Sequence, residues 1–96
     1  MANEIKLTPD QMRERARAFG NERDNLQRSI DNMGKLISAL TNEWKGEASK
    51  AYEKRYNDLK PAFKNCKALM NELSVNLNQS AKIMEETDRK IAGQLK

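Results

Sequence analysis

The stretch "TNEWKGEASKAY", Thr41 to Tyr52, lies near the centre of a 96-residue chain and holds its only tryptophan and one of its four glycines. On its N-terminal side Met12, Ala16, Phe19, Arg23, Leu26, Ile30, Met33, Ile37, Leu40 and Trp44 follow one another at alternating steps of four and three, the period of a coiled-coil seam. On its C-terminal side Tyr52, Tyr56, Leu59, Phe63, Cys66, Met70, Leu73, Leu77, Ser80 and Met84 repeat the alternation. The central stretch therefore reads as the corner between two helices. Trp44 closes the first seam, and Gly46 is placed to take the left-handed conformation that ends a helix tightly. Ala48 is small enough to let the backbones close, and Tyr52, one turn further, can pack near the indole.

Working outward, the boundaries follow from local chemistry. Thr8-Pro9-Asp10-Gln11 matches a capping box with proline at the first helical position and an acid at the positive end of the dipole. The pattern predicts helix 1 over about 9–43, a turn at 44–46 and helix 2 over about 47–91. Pro61 removes one backbone bond and predicts a kink, because the second seam passes through Leu59 and Phe63 without losing register. Gly20 and Gly34 lie off the first seam, each costing ~1 kcal/mol against alanine unless packing offsets it. The short connection makes the pair an antiparallel hairpin, one all-α domain over 1–96. Two rods cover each other on one side only, so the seam of Phe19, Leu26, Ile30, Met33, Ile37, Leu40, Leu59, Phe63, Met70, Leu73 and Leu77 calls for a second hairpin. Dimerisation into a four-helix bundle supplies it. Arg23, where an apolar residue is expected, should snorkel to the bundle edge or pair with an acid.

Composition narrows the function classes. The chain is 38% hydrophobic but only 5% aromatic, with two prolines, which favours helix over sheet. It has no histidine and one cysteine, Cys66, so the usual general base is missing and no disulfide framework exists. Cys66 reads as a small core residue. No metal-ligand cluster or glycine-rich phosphate loop is present, so no catalytic, metal or cofactor site is expected and the chain does not read as an enzyme. Acids such as Glu14, Glu22, Glu85 and Glu86 fall where a solvated face would place them. No apolar run is long enough to cross a bilayer, and "MANEIKLT" lacks the pattern of a cleaved signal peptide.

Trp44, Gly46, Ala48 and Tyr52 spell W-x-G-x-A-x-x-x-aromatic at the middle of a helical hairpin of about one hundred residues. In this the chain resembles the WXG-motif family, the early-secreted-antigen-like or Esx-like substrates of type VII secretion systems. The resemblance implies export to the outside of the cell without a cleaved leader, a homodimer or a heterodimer with a WXG-type paralogue, and recognition by the type VII secretion ATPase. It further implies action as an effector, virulence-associated factor or co-exported partner, with co-secreted toxins or host proteins as contacts. Near the C-terminus "MEETDRKIAGQL" supplies Met84, Asp88, Ile91 and Leu95. This resembles the hydrophobic-x-x-x-acid-x-x-hydrophobic-x-x-x-hydrophobic export signal of the Firmicutes branch. Steps of four, three and four put these side chains on one helical face, a docking element rotated away from the seam. Two other readings stay open. Amphipathic helices rich in Lys and Arg bind anionic membranes, and "RERARAF" and "KPAFKNCK" carry charge toward nucleic acid. Acids intervene throughout and no nucleic-acid reader motif occurs, so no nucleic-acid partner is expected.

Overall fold

The structure, a computed structural model, describes residues 6–94. Two helices make up the fold, α1 over Pro9–Glu43 and α2 over Glu47–Gln94. They form an antiparallel hairpin measuring 76 × 25 × 16 Å. The start of α1 is fixed as its sequence dictates. The Thr8 hydroxyl accepts from the Gln11 N–H at 3.2 Å, and Gln11 Oε1 accepts from the Thr8 N–H at 2.9 Å. α2 continues through Pro61 and is helical as far as Gln94, the last described residue, beyond the expected 91. The Arg23–Asn71 and Gln27–Lys67 pairs set a register in which Pro9 stands level with Glu85. The last turns of α2 therefore run past the start of α1.

The cross-helix contacts also fix which flank of each seam faces the other helix. Ala16, Arg23, Ile30 and Ile37 on α1, and Tyr56, Phe63, Met70, Leu77 and Met84 on α2, are all buried or half-buried. Beside them run two flanks. The flank of Gly20, Gln27, Gly34 and Thr41 meets the flank of Lys67, Ser74 and Ala81, and all seven are buried or half-buried. Gln27 accepts from Lys67, and a Cβ on Gly20 would stand 3.8 Å from the Ser74 hydroxyl. The other flank, Phe19, Leu26, Met33 and Leu40 on α1 with Leu59 and Leu73 on α2, lies on the opposite side of the hairpin, because an antiparallel pair puts equivalent heptad positions on one side. Met33, Leu40 and Leu59 are 41%, 40% and 48% exposed, and Leu36, Leu69 and Ile83 widen the same apolar face. The hairpin thus has a polar closed face and an apolar open one.

Several sequence expectations change in this light. Cys66 is exposed, not a core residue, because its flank is the open one. Ser80 is exposed while its neighbour Ala81 is fully buried, so the closed flank, one position round the helix, takes the contact. Gly34 is not a mere cost. A Cβ there would lie 2.9 Å from the Tyr56 hydroxyl oxygen, and that hydroxyl donates to the Ile30 carbonyl at 2.9 Å. The missing side chain is the space in which the bond forms. Glu85 is half-buried and pairs with Arg13 across the open end of the hairpin, where solvation was expected. Arg23 does pair with an acid, Asp24 at 3.1 Å, and also reaches Asn71 on α2 at 2.6 Å.

Candidate functional site

The corner is built from short-range bonds. Trp44 caps α1 with φ −113° and ψ 80°, its N–H donating to the Leu40 carbonyl at 2.7 Å. Trp44 is 44% exposed, and the centroid of its indole lies 6.3 Å from that of the Tyr52 ring, the rings tilted by 37°. The expected contact between the aromatics is present. Trp44 does not fill the corner, however, since it remains exposed to solvent. Gly46 does not adopt the left-handed conformation, as no described glycine has positive φ. It stands instead at the N-cap position of α2, where glycine is tolerated, and its carbonyl accepts from the Lys50 N–H at 3.3 Å and the Ser49 hydroxyl at 3.0 Å. Nothing lies within 4 Å of where a Gly46 Cβ would be. Ala48 is exposed; the residue that closes the bend is Ser49, 2% exposed. Only its small size and its proximity to Gly46 hinted at this, because a serine does not register in a hydrophobic period.

At the other end Met84, Asp88 and Ile91 occupy one face of α2, half-buried, exposed and 51% exposed respectively. Leu95 lies outside the described residues. Met84 and Asp88 share the wall of a groove of about 480 Å³ with Met12, Ser80, Ile83 and Thr87, whereas Ile91 stands on the overhang beyond it. The corner and this stripe lie at opposite ends of a long rod, so the hairpin does not bring them together. Among the described residues no group of three His, Cys, Asp or Glu side chains could hold a metal ion. No described helix is long and apolar enough to cross a membrane.

A two-helix hairpin with an exposed tryptophan at its corner and one partly uncovered apolar face places the chain in the class of small helical-hairpin proteins. Residues 4–89 match the family model described as "Proteins of 100 residues with WXG", and the chain belongs to this WXG100 family. It is 33% identical to protein YukE of Bacillus subtilis, over all of this chain and 99% of YukE. It is 22% identical to the type VII secretion system extracellular protein A of Staphylococcus aureus, over 92% of this chain and 91% of that one. Among solved structures, EsxA of Geobacillus thermodenitrificans superposes with a TM-score of 0.87 at 36% identity, covering 96% of this chain and 99% of its own.

Proposed function

We propose that this chain is a non-enzymatic substrate of a type VII secretion system, exported as a dimeric four-helix bundle and acting outside the cell through protein–protein contacts, as an effector or as a co-exported partner. Family membership supports the pathway, since a Staphylococcus relative is an extracellular protein of such a system. The open apolar face is the observation that carries the dimer. The hairpin exposes 7862 Å², whereas a compact monomer of 11.0 kDa would expose roughly 5,600 Å². The excess is more than twice the roughly 800 Å² that each partner gives to an ordinary interface. Trp44 and Gly46 fit a surface read by the export machinery, its ATPase by family resemblance, because the hairpin's own packing requires neither the full indole nor a glycine there.

The stripe at the far end supplies the test. Asp88 is exposed beside Met84 and the groove, so a receptor can use the apolar residues for affinity and the charge for orientation. Asp88→Ala should abolish appearance of the protein in culture supernatant while leaving thermal unfolding and dimer mass nearly unchanged. Wild-type levels in the supernatant would exclude Asp88 from the export signal.

A further inference from the structure

On the closed face, midway along the hairpin, a cleft of about 380 Å³ opens between the helices, lined by Arg23, Asp24, Gln27, Lys64, Lys67 and Asn71. Three of these are cations and one is an acid. Their internal bonds consume acceptors and leave donors. Guanidinium and ammonium groups can only donate, so Asn71 Oδ1 turns to Arg23 Nη1 and Gln27 Oε1 turns to Lys67. Asp24 accepts from Arg23 Nε at 3.1 Å, and Gln27 Nε2 donates to Asp31 at 2.9 Å. The donors that remain are the Asn71 NH₂, the unused N–H groups of Lys67, Arg23 Nη2 and the Lys64 ammonium, against one free acceptor, the second carboxylate oxygen of Asp24. Among the described residues Lys64 takes part in no hydrogen bond or ion pair.

We propose that this cleft binds an acidic helix of a partner protein, one with carboxylates at i, i+4 and i+7. Lys60, Lys64 and Lys67 follow at steps of four and three, so their stems rise from one edge of α2 over about 10 Å. A helix with acids at the same spacing presents matching charges. Lys60 is held over the Tyr56 ring, 5.3 Å from its centroid, which keeps its ammonium at that edge. Carboxylates suit the site better than phosphate. Arg23, the only guanidinium in the lining, already spends its Nε–H on Asp24 and an Nη1 N–H on Asn71, so its Nε edge is closed to bidentate phosphate binding. The closed face lies opposite the apolar one, so the cleft stays open when a second copy covers the latter. The inference does not depend on export.

The full-length protein can be titrated against a fluorescein-labelled helical peptide with glutamates at i, i+4 and i+7, following anisotropy at low salt. A peptide of equal composition with its glutamates spread around the helix is the control. The spaced peptide should bind at least about tenfold more tightly, a difference of ~1.4 kcal/mol, and should shift the Asn71 side-chain amide signals in a ¹H–¹⁵N spectrum. Lys64→Glu, at a side chain with no partner to lose, should weaken binding at least tenfold with helicity unchanged; Lys64→Glu combined with Lys67→Glu should weaken it further. Equal binding of the two peptides, or indifference to Lys64→Glu, would overturn the proposal. So would stronger binding to inorganic phosphate or to phosphatidylglycerol vesicles than to the spaced peptide.

Discussion

The two faces of the hairpin hold it together by different means. The closed face carries the specific bonds: Tyr56 to the Ile30 carbonyl, Lys67 to Gln27, Arg23 to Asn71. Its flanking side chains are small or polar, and several are glycine, serine or alanine. The open face carries Phe19, Leu26, Met33, Leu40, Leu59 and Leu73, large side chains that α1 and α2 leave partly in water. Hydrogen bonds of the first kind contribute only ~1 kcal/mol each in net terms, whereas full burial of one large apolar side chain contributes ~1.5–3 kcal/mol. Register is therefore set on one face, and most of the large apolar surface left unburied lies on the other.

Adjacent residues on the two faces give the harshest test. Leu26 is half-buried on the open flank and Gln27 is half-buried on the closed one. Leu26→Asp would place a carboxylate in the proposed dimer core, with a loss of at least about 3 kcal/mol from the missing leucine and the desolvated charge. In sedimentation equilibrium its mass should fall from twice the chain mass to 11.0 kDa, and its helicity should melt far earlier. Gln27→Glu, which keeps a partner for Lys67, should remain dimeric. If Leu26→Asp stayed a dimer with an unchanged melting curve, the open face would not be the interface.

That pair of neighbours also explains what could be read before the structure was known. The two helices, their Thr8 cap, the corner near Trp44 and the antiparallel arrangement all follow from period, capping chemistry and a short connection. The phase of the intrachain contact does not. Steps of four and three run equally well through Leu26 and through Gln27, and a reader of hydrophobicity takes the apolar flank. That flank is the one left open here, which is why Cys66 and Ser80 are exposed and Ala81 is buried. Hydrophobic periodicity reports the sum of all interfaces and cannot separate the contact within a chain from the contact with another. The corner was misread for a related reason. Glycine suggests a positive φ, yet Gly46 serves as an N-cap, and a chain reversal made with ordinary dihedrals leaves no mark in composition.

Within the closed face, Gly34 and Tyr56 form a coupled pair. Gly34→Ala gains ~1 kcal/mol of helix propensity. Its Cβ, 2.9 Å from the tyrosine oxygen, would displace the hydroxyl from the Ile30 carbonyl, losing about 1 kcal/mol for the bond and ~1–3 kcal/mol for overpacking. The variant should be net destabilised by ~1–3 kcal/mol in chemical denaturation. Tyr56→Phe removes the crowding atom, so Gly34→Ala added to that background should be neutral or stabilising. The non-additivity of the double variant measures the contact. Simple additivity would mean that the two residues do not meet.

Gly20 provides the smallest effect and the cleanest control, because it lies on the same flank as Gly34, fourteen residues or two heptads earlier. A Cβ at this position would stand 3.7 Å from Arg23 Nη2 and 3.8 Å from the Ser74 hydroxyl, ordinary van der Waals contacts. Nothing has to move. Gly20→Ala therefore keeps the propensity gain and reduces the entropy of the unfolded chain, raising stability by ~0.5–1 kcal/mol. For a domain of this size that corresponds to a rise in melting temperature of about 2–8 °C. Two glycines with identical heptad positions thus respond with opposite signs, and the difference lies wholly in what faces them on α2: a serine hydroxyl with room to spare, or a tyrosine that needs the space. If Gly20→Ala destabilised the protein as much as Gly34→Ala, the helices would approach each other more closely near Ser74 than this register allows, and the closed face would have to be redrawn from that end.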